Sequence, residues 1–190
     1  MNYPRMLPFI TLITIFTQAQ TLAQTLSPEE RIKQLQAEIL SNPKSSEAYN
    51  SLGDAYLTLG EGKEALLAYR QAILLNLDKA PVDEMRSFNL LNNAISKFGL
   101  YAEAVEIYKD VILIKPDHPI AYASLGNTFA ALRRYQEATE AYKQAIRVGP
   151  HDSTLYVKLG EAYLALGDEA AALAMYETLK ICMSKQMIQD

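Results

Sequence analysis

The chain has 190 residues, of which 49% are hydrophobic and 21% charged, so it can build a packed core and is not composed as a disordered segment. Its 18 basic and 22 acidic residues give a formal charge of −4, without the basic excess that nucleic-acid binding demands. One cysteine and two histidines exclude a disulfide framework and any Cys-clustered zinc or iron–sulfur site, and leave little for other metal chemistry.

The N-terminal stretch reads as a targeting segment. A single positive charge at Arg5 precedes an apolar run from Leu7 to Phe16, and Thr21-Leu22-Ala23 approximates the small-x-small site that a signal peptidase cuts. As a helix the run would rise only ~15 Å, about half a bilayer core. The expectation is a cleavable signal peptide over 1–23 and a periplasmic or extracellular protein, membrane-tethered if the segment is not cleaved.

From Ser27 onward the pattern is helical. Ser27-Pro28-Glu29-Glu30 offers an N-cap, a first-turn proline and two acids against the helix dipole. Ile32, Leu35, Ile39 and Leu40 continue it as an apolar stripe, which predicts a helix over 27–41 inside an N-terminal capping segment, 24–45. Four units of 34 positions follow, at 46–79, 85–118, 119–152 and 153–186, with a tail at 187–190. The first step between units is five residues longer than the others, the excess lying around Asp78–Glu84. Pro81, Asp83 and Glu84 suit a helix start, so the extra length is expected to add about one turn to the next helix.

Within each unit the same positions carry the same kinds of residue. Position 4 is Tyr49, Phe88, Tyr122 and Tyr156; position 7 is Leu52, Leu91, Leu125 and Leu159. Position 8 is Gly53, Asn92, Gly126 and Gly160; position 20 is Ala65, Ala104, Ala138 and Ala172; position 24 is Tyr69, Tyr108, Tyr142 and Tyr176. The spacing predicts helix pairs near 46–59 and 63–76, 81–98 and 102–114, 119–132 and 136–148, 153–166 and 169–184. Gly60, Gly99 and Gly167 share position 15, where the first helix must end and reverse. Small residues at positions 8 and 20 let the two helices approach. Gly126 and Gly160 are therefore expected to accept alanine but not leucine.

This pattern resembles the tetratricopeptide repeat, a 34-residue helix–turn–helix unit, in four copies from Ser46 to the C-terminus. The resemblance implies an all-α fold, a right-handed α-solenoid of antiparallel helix pairs whose first helices line a concave groove. It also implies that positions 2, 5, 9, 12 and 13 face a ligand. Among these the candidate groove residues are Asn50, Asp54, Arg86, Asn89, Asn93, Lys97, Asn127 and Glu161. Asn side chains donate and accept together, so they can hold a peptide backbone without reading its side chains. Arg86 and Lys97 make unit two the one patch with two cations, which predicts a partner segment with acidic groups. The cationic clamp by which relatives grip chaperone tails is missing, since the matching positions read Asn50, Asp54, Leu90, Ile120 and Ser124, or Asn89, Asn93, Ser124, Thr154 and Lys158.

Catalysis finds little footing. No phosphate loop, His-Glu-x-x-His or Gly-x-Ser-x-Gly occurs. Every tyrosine after residue 23 falls on a framework position and is expected to pack. His118 and His151, beside Asp117 and Asp152, are expected as surface turn residues, because no nucleophile stands at a matching spacing. Cys182 is expected to be a buried or idle thiol. The expected function is a non-enzymatic, exported interaction module without cofactor or metal, holding a partner protein or extended peptide and no nucleic acid. The alternative is a structural subunit that self-associates through its solenoid ends. N-terminal sequencing of the exported protein should begin near Gln24; an intact Met1 on a soluble cytoplasmic product contradicts the signal reading.

Overall fold

A helix leaves its first amides unpaired, and most first helices of this chain begin where the sequence supplies an acceptor for them. The computed structural model describes residues 26–77, 81–149 and 152–189, so the expected signal segment lies outside the described residues. Helix α1 (Pro28–Ser41) is closed by Ser27, whose hydroxyl accepts from the Glu30 N–H while the Glu30 carboxylate accepts from the Ser27 N–H. Ser45 caps α2 (Ser46–Leu59), and the His118 ring caps α6 (Pro119–Ala131). Asp152 caps α8 (Ser153–Ala165). Helices α3 (Gly62–Asn76), α5 (Tyr101–Ile114) and α7 (Tyr135–Val148) start without a side-chain cap, directly after a tight turn. The set is completed by α4 (Pro81–Phe98) and α9 (Glu169–Gln189).

Among the described residues these nine helices and no strand form the regular structure. Each packs on its neighbour in chain order, giving an all-α solenoid of helix pairs: α2 with α3, α4 with α5, α6 with α7 and α8 with α9, with α1 laid on α2. The alanines at position 20 are essentially inaccessible in all four pairs, and the buried aliphatic and tyrosine side chains form one spine from Ala65 to Ala162. A satellite cluster of Ile32, Leu35, Leu52, Ala55 and Ala68 joins α1 to it.

Two bounds differ in length from the other repeats. Helix α4 has 18 residues against 13 or 14 for α2, α6 and α8, so the five-residue excess has become helix, opened by Pro81. Helix α9 runs to Gln189, beyond the expected end at 184 and through most of the expected tail. Lys180 to Gln189 contains no glycine or proline, so nothing in that stretch stops a helix.

The reversals and the close approaches fix where glycine is needed. Gly60, Gly99 and Gly167 have φ of 81°, 69° and 80°, the left-handed conformation that ends a first helix. The third unit has Arg133 at the same place with φ 58°, a conformation in which an L side chain is strained. At position 8 the tyrosine ring of the second helix lies on the glycine. A Cβ built on Gly53, Gly126 or Gly160 would stand 2.4, 2.6 or 2.7 Å from Tyr69, Tyr142 or Tyr176. Alanine is therefore not accommodated, contrary to the expectation from size alone, because the ring itself occupies the methyl's place. Gly126→Ala should lower stability by about 1–3 kcal/mol in chemical denaturation, whereas Arg133→Gly should raise it by about 0.5–1 kcal/mol by relieving the turn. An unchanged midpoint for both contradicts this account of the pair.

Candidate partner-binding groove

In the first and third units the tyrosine that sits on the glycine also carries its hydroxyl to position 9 of the first helix. Tyr69 donates to Asp54 Oδ1 at 2.6 Å and Tyr142 to Asn127 Oδ1 at 2.9 Å. Burial raises the Tyr69 phenol far above its ordinary range, and the bond to Asp54 adds to this. Burial does the same for Tyr142, with the charge of Glu161 second. These hydroxyls stay protonated donors, and two groove candidates, Asp54 and Asn127, are tied to the fold by them.

Unit two is built differently. Asn92 replaces the glycine, Tyr108 donates to Asn92 Oδ1 at 2.6 Å, and the α4 and α5 backbones stand farther apart than those of the other pairs. The space between them holds rings: Phe88 stacks on Tyr108 at 6.2 Å and on His118 at 5.3 Å between centroids. Because Asn92 takes the tyrosine hydroxyl, the next residue, Asn93, exposed as Asp54 and Asn127 are at the same position, is left without that bond. Asn93 and Asn89, one turn apart, make no side-chain hydrogen bond among the described residues. Together with Val82, Met85, Arg86 and Leu90 they line an open pocket of about 580 Å³ whose surface is mostly apolar.

Several expected roles do not survive. Asn50 is only 2% exposed and does not face a ligand; its amide donates to Ser87 Oγ at 3.0 Å. Ser87 Oγ also accepts from Asn76 at 3.2 Å, so α2, α3 and α4 meet at a buried polar seam. The Asn50 and Asn76 carbonyl oxygens have no partner there among the described residues. Arg86 is not an open cation, because its guanidinium donates to Glu47 at 2.7 Å. Lys97 lies 5.4 Å from the Phe98 ring centroid and three turns from Arg86, so the two do not form one cationic patch. Glu161 is exposed on α8. His118 is buried, not a surface turn residue: its Nδ1 accepts from the Ala121 N–H, and its Nε2 donates to Glu84. Both ring nitrogens are thus committed to joining α4 to α6. His151 and the Cys182 side chain lie outside the described residues.

The buried seam and the apolar pocket were not read from the sequence. Val82, Met85, Asn89 and Asn93 do recur at the spacing of one helix face, which was the available signal. Among the described residues no group of three or more His, Cys, Asp or Glu could hold a metal, and no helix is long and apolar enough to cross a membrane.

Comparison with known proteins agrees with this architecture. A family model described as "Tetratricopeptide repeat" matches residues 16–84, 96–142 and 124–183, and its first match begins inside the stretch read as a signal. The chain belongs to the tetratricopeptide repeat family. It is 40% identical over 58 residues, 30% of its length, to the formate-dependent nitrite reductase complex subunit NrfG of Escherichia coli O157:H7, and covers 29% of that protein. The chain spans less than a third of the curated relatives it matches. In fold it is similar to the crystal structure of MamA, with a TM-score of 0.59 at 19% identity, covering 84% of this chain and 91% of that one. It is similar too to YrrB, described as a TPR protein with an unusual peptide-binding site: TM-score 0.55, 16% identity, 89% of this chain and 84% of that one.

The geometry separates fold from groove by stability. Ser87→Ala strands the buried Asn50 amide and should cost about 1–3 kcal/mol, while Asn93→Ala should change stability by less than about 0.5 kcal/mol. Urea titration of the two variants reads the contrast, and equal losses contradict the assignment.

Proposed function

We propose that this chain is a non-enzymatic, exported interaction module that holds a partner protein or extended peptide in the groove lined by its first helices. The observation that carries the reading is the exposed pair Asn89 and Asn93, which the fold leaves without hydrogen-bond partners among the described residues. Four residues apart on a helix, they are separated by about 6 Å along its axis. An extended peptide repeats its outward backbone groups every two residues, about 6.6 Å. Two amides at that spacing can pair with successive main-chain groups whatever the side chains are. Family membership and the peptide-binding site of the similar fold YrrB support a peptide or protein as the ligand. Export rests on Arg5, the apolar run and Thr21-Leu22-Ala23.

A second reading, self-association, is favoured by the outer side of the last pair. At position 21 the side chains Leu66, Val105 and Thr139 are buried, but their counterpart Leu173 is 59% exposed. Leu164, Leu166 and Ile181 are exposed with it. Affinity capture from an envelope fraction tests the first reading: proteins recovered by the chain should be lost with Asn89→Ala/Asn93→Ala, the helical signal being unchanged. Equal recovery by that variant contradicts it. Light scattering that shows an oligomer dissolved by Leu173→Glu supports the second.

A further inference from the structure

The pocket on α4 draws part of its apolar lining, Val82, from the extra helical turn. Val82 lies in that turn and is 79% exposed; Met85, one turn on, is 44% exposed. Leu90 completes an apolar floor, and Asn89 and Asn93 form a neutral polar edge. Among the described lining residues the one charged side chain, Arg86, is already paired with Glu47 at 2.7 Å. A carboxylate entering here would compete with Glu47 for Arg86 and would be desolvated against Val82 and Met85. A lysine or arginine would meet no acid among the described lining residues, and Glu47 beside them is already held by Arg86.

Resting on the groove reading above, we propose that the added turn of α4 builds a specificity subsite for an uncharged, bulky apolar side chain of the bound segment, of the leucine, isoleucine, methionine or phenylalanine kind. The volume of about 580 Å³ holds such a side chain together with the main chain on either side of it. Asn89 and Asn93 pair with that main chain, while Val82 and Met85 cover the side chain. The amides thus supply backbone capture and the inserted turn supplies selection. Arg86 and Glu47 pair with each other at the rim, so neither charge stands open to the bound segment. Recognition at this subsite is accordingly apolar and insensitive to salt, in place of the acidic partner expected from Arg86 and Lys97.

Selection of displayed random 12-residue peptides on the full chain, followed by titration of synthetic copies, tests this directly. The expected peptides share one uncharged apolar residue at a fixed place, and their Kd changes less than about twofold between low and high salt. Val82→Glu, a change at an exposed site that leaves the helical signal intact, should weaken them by about tenfold or more. Peptides that share Asp or Glu and weaken with salt overturn the subsite. Undiminished binding to Val82→Glu with loss on Asn93→Ala overturns the subsite and leaves the groove reading standing. Undiminished binding to both variants, or no enriched peptide at all, overturns the groove reading as well.

Discussion

The contact on which the structure depends is a tyrosine ring laid on a glycine. In three of the four repeats the ring of the second helix touches the first helix where a side chain is missing, so closely that a methyl group could be added only by displacing the ring. That contact sets how near the helices of a pair come, and the alanines at position 20, all fully buried, are the matching recess on the other helix. It also aims the tyrosine hydroxyl at the groove side of the first helix, where it takes hold of Asp54 and Asn127. Packing and the chemistry of position 9 are thus joined through one side chain in the first and third repeats.

The second repeat departs from this rule, and the functional reading follows from the departure. Asn92 fills the recess, and the pair stands wider around Phe88, Tyr108 and His118. The tyrosine hydroxyl is intercepted one residue early. Asn93 is thereby left without the tyrosine bond that Asp54 and Asn127 receive, on a helix α4 that carries an additional turn. The wider pair is secured at its junction with the next repeat: the buried His118 binds Glu84 at the start of α4 and caps α6 with its other nitrogen. Local irregularity, buried polar fastening and an open apolar pocket coincide at one junction, where a repeat protein can differ from its regular copies without losing its spine.

Most of the fold was legible in the sequence because periodic apolar residues and turn glycines act locally. The expected and observed helices agree closely except at the last one, which continues because residues 180–189 contain no breaker. The groove was legible only in part. Asn89 and Asn93 could be placed by their position in the repeat, but the same rule placed Asn50 there, and Asn50 is buried against Ser87. Position numbers describe a regular stack, whereas the shifted second unit brings Ser87 across to Asn50 and Asn76. Arg86 looked like an open cation because its partner, Glu47, is 39 residues away and belongs to the preceding repeat. His118 looked like a turn residue for the same reason, its partner Glu84 being distant in the chain and adjacent in space. Contacts between units decide which polar residues are spent on the fold, and they are absent from the periodic signal.

The crystal structure of Asn92→Gly tests most directly the claim that the residue beneath the tyrosine governs both pair spacing and groove chemistry. The account predicts that the Tyr108 ring settles on the new glycine, that the α4–α5 axes draw together by about 1–2 Å, and that the Tyr108 hydroxyl moves to Asn93. An unchanged α4–α5 separation, with Asn93 still exposed and unbonded in a folded variant, would contradict it.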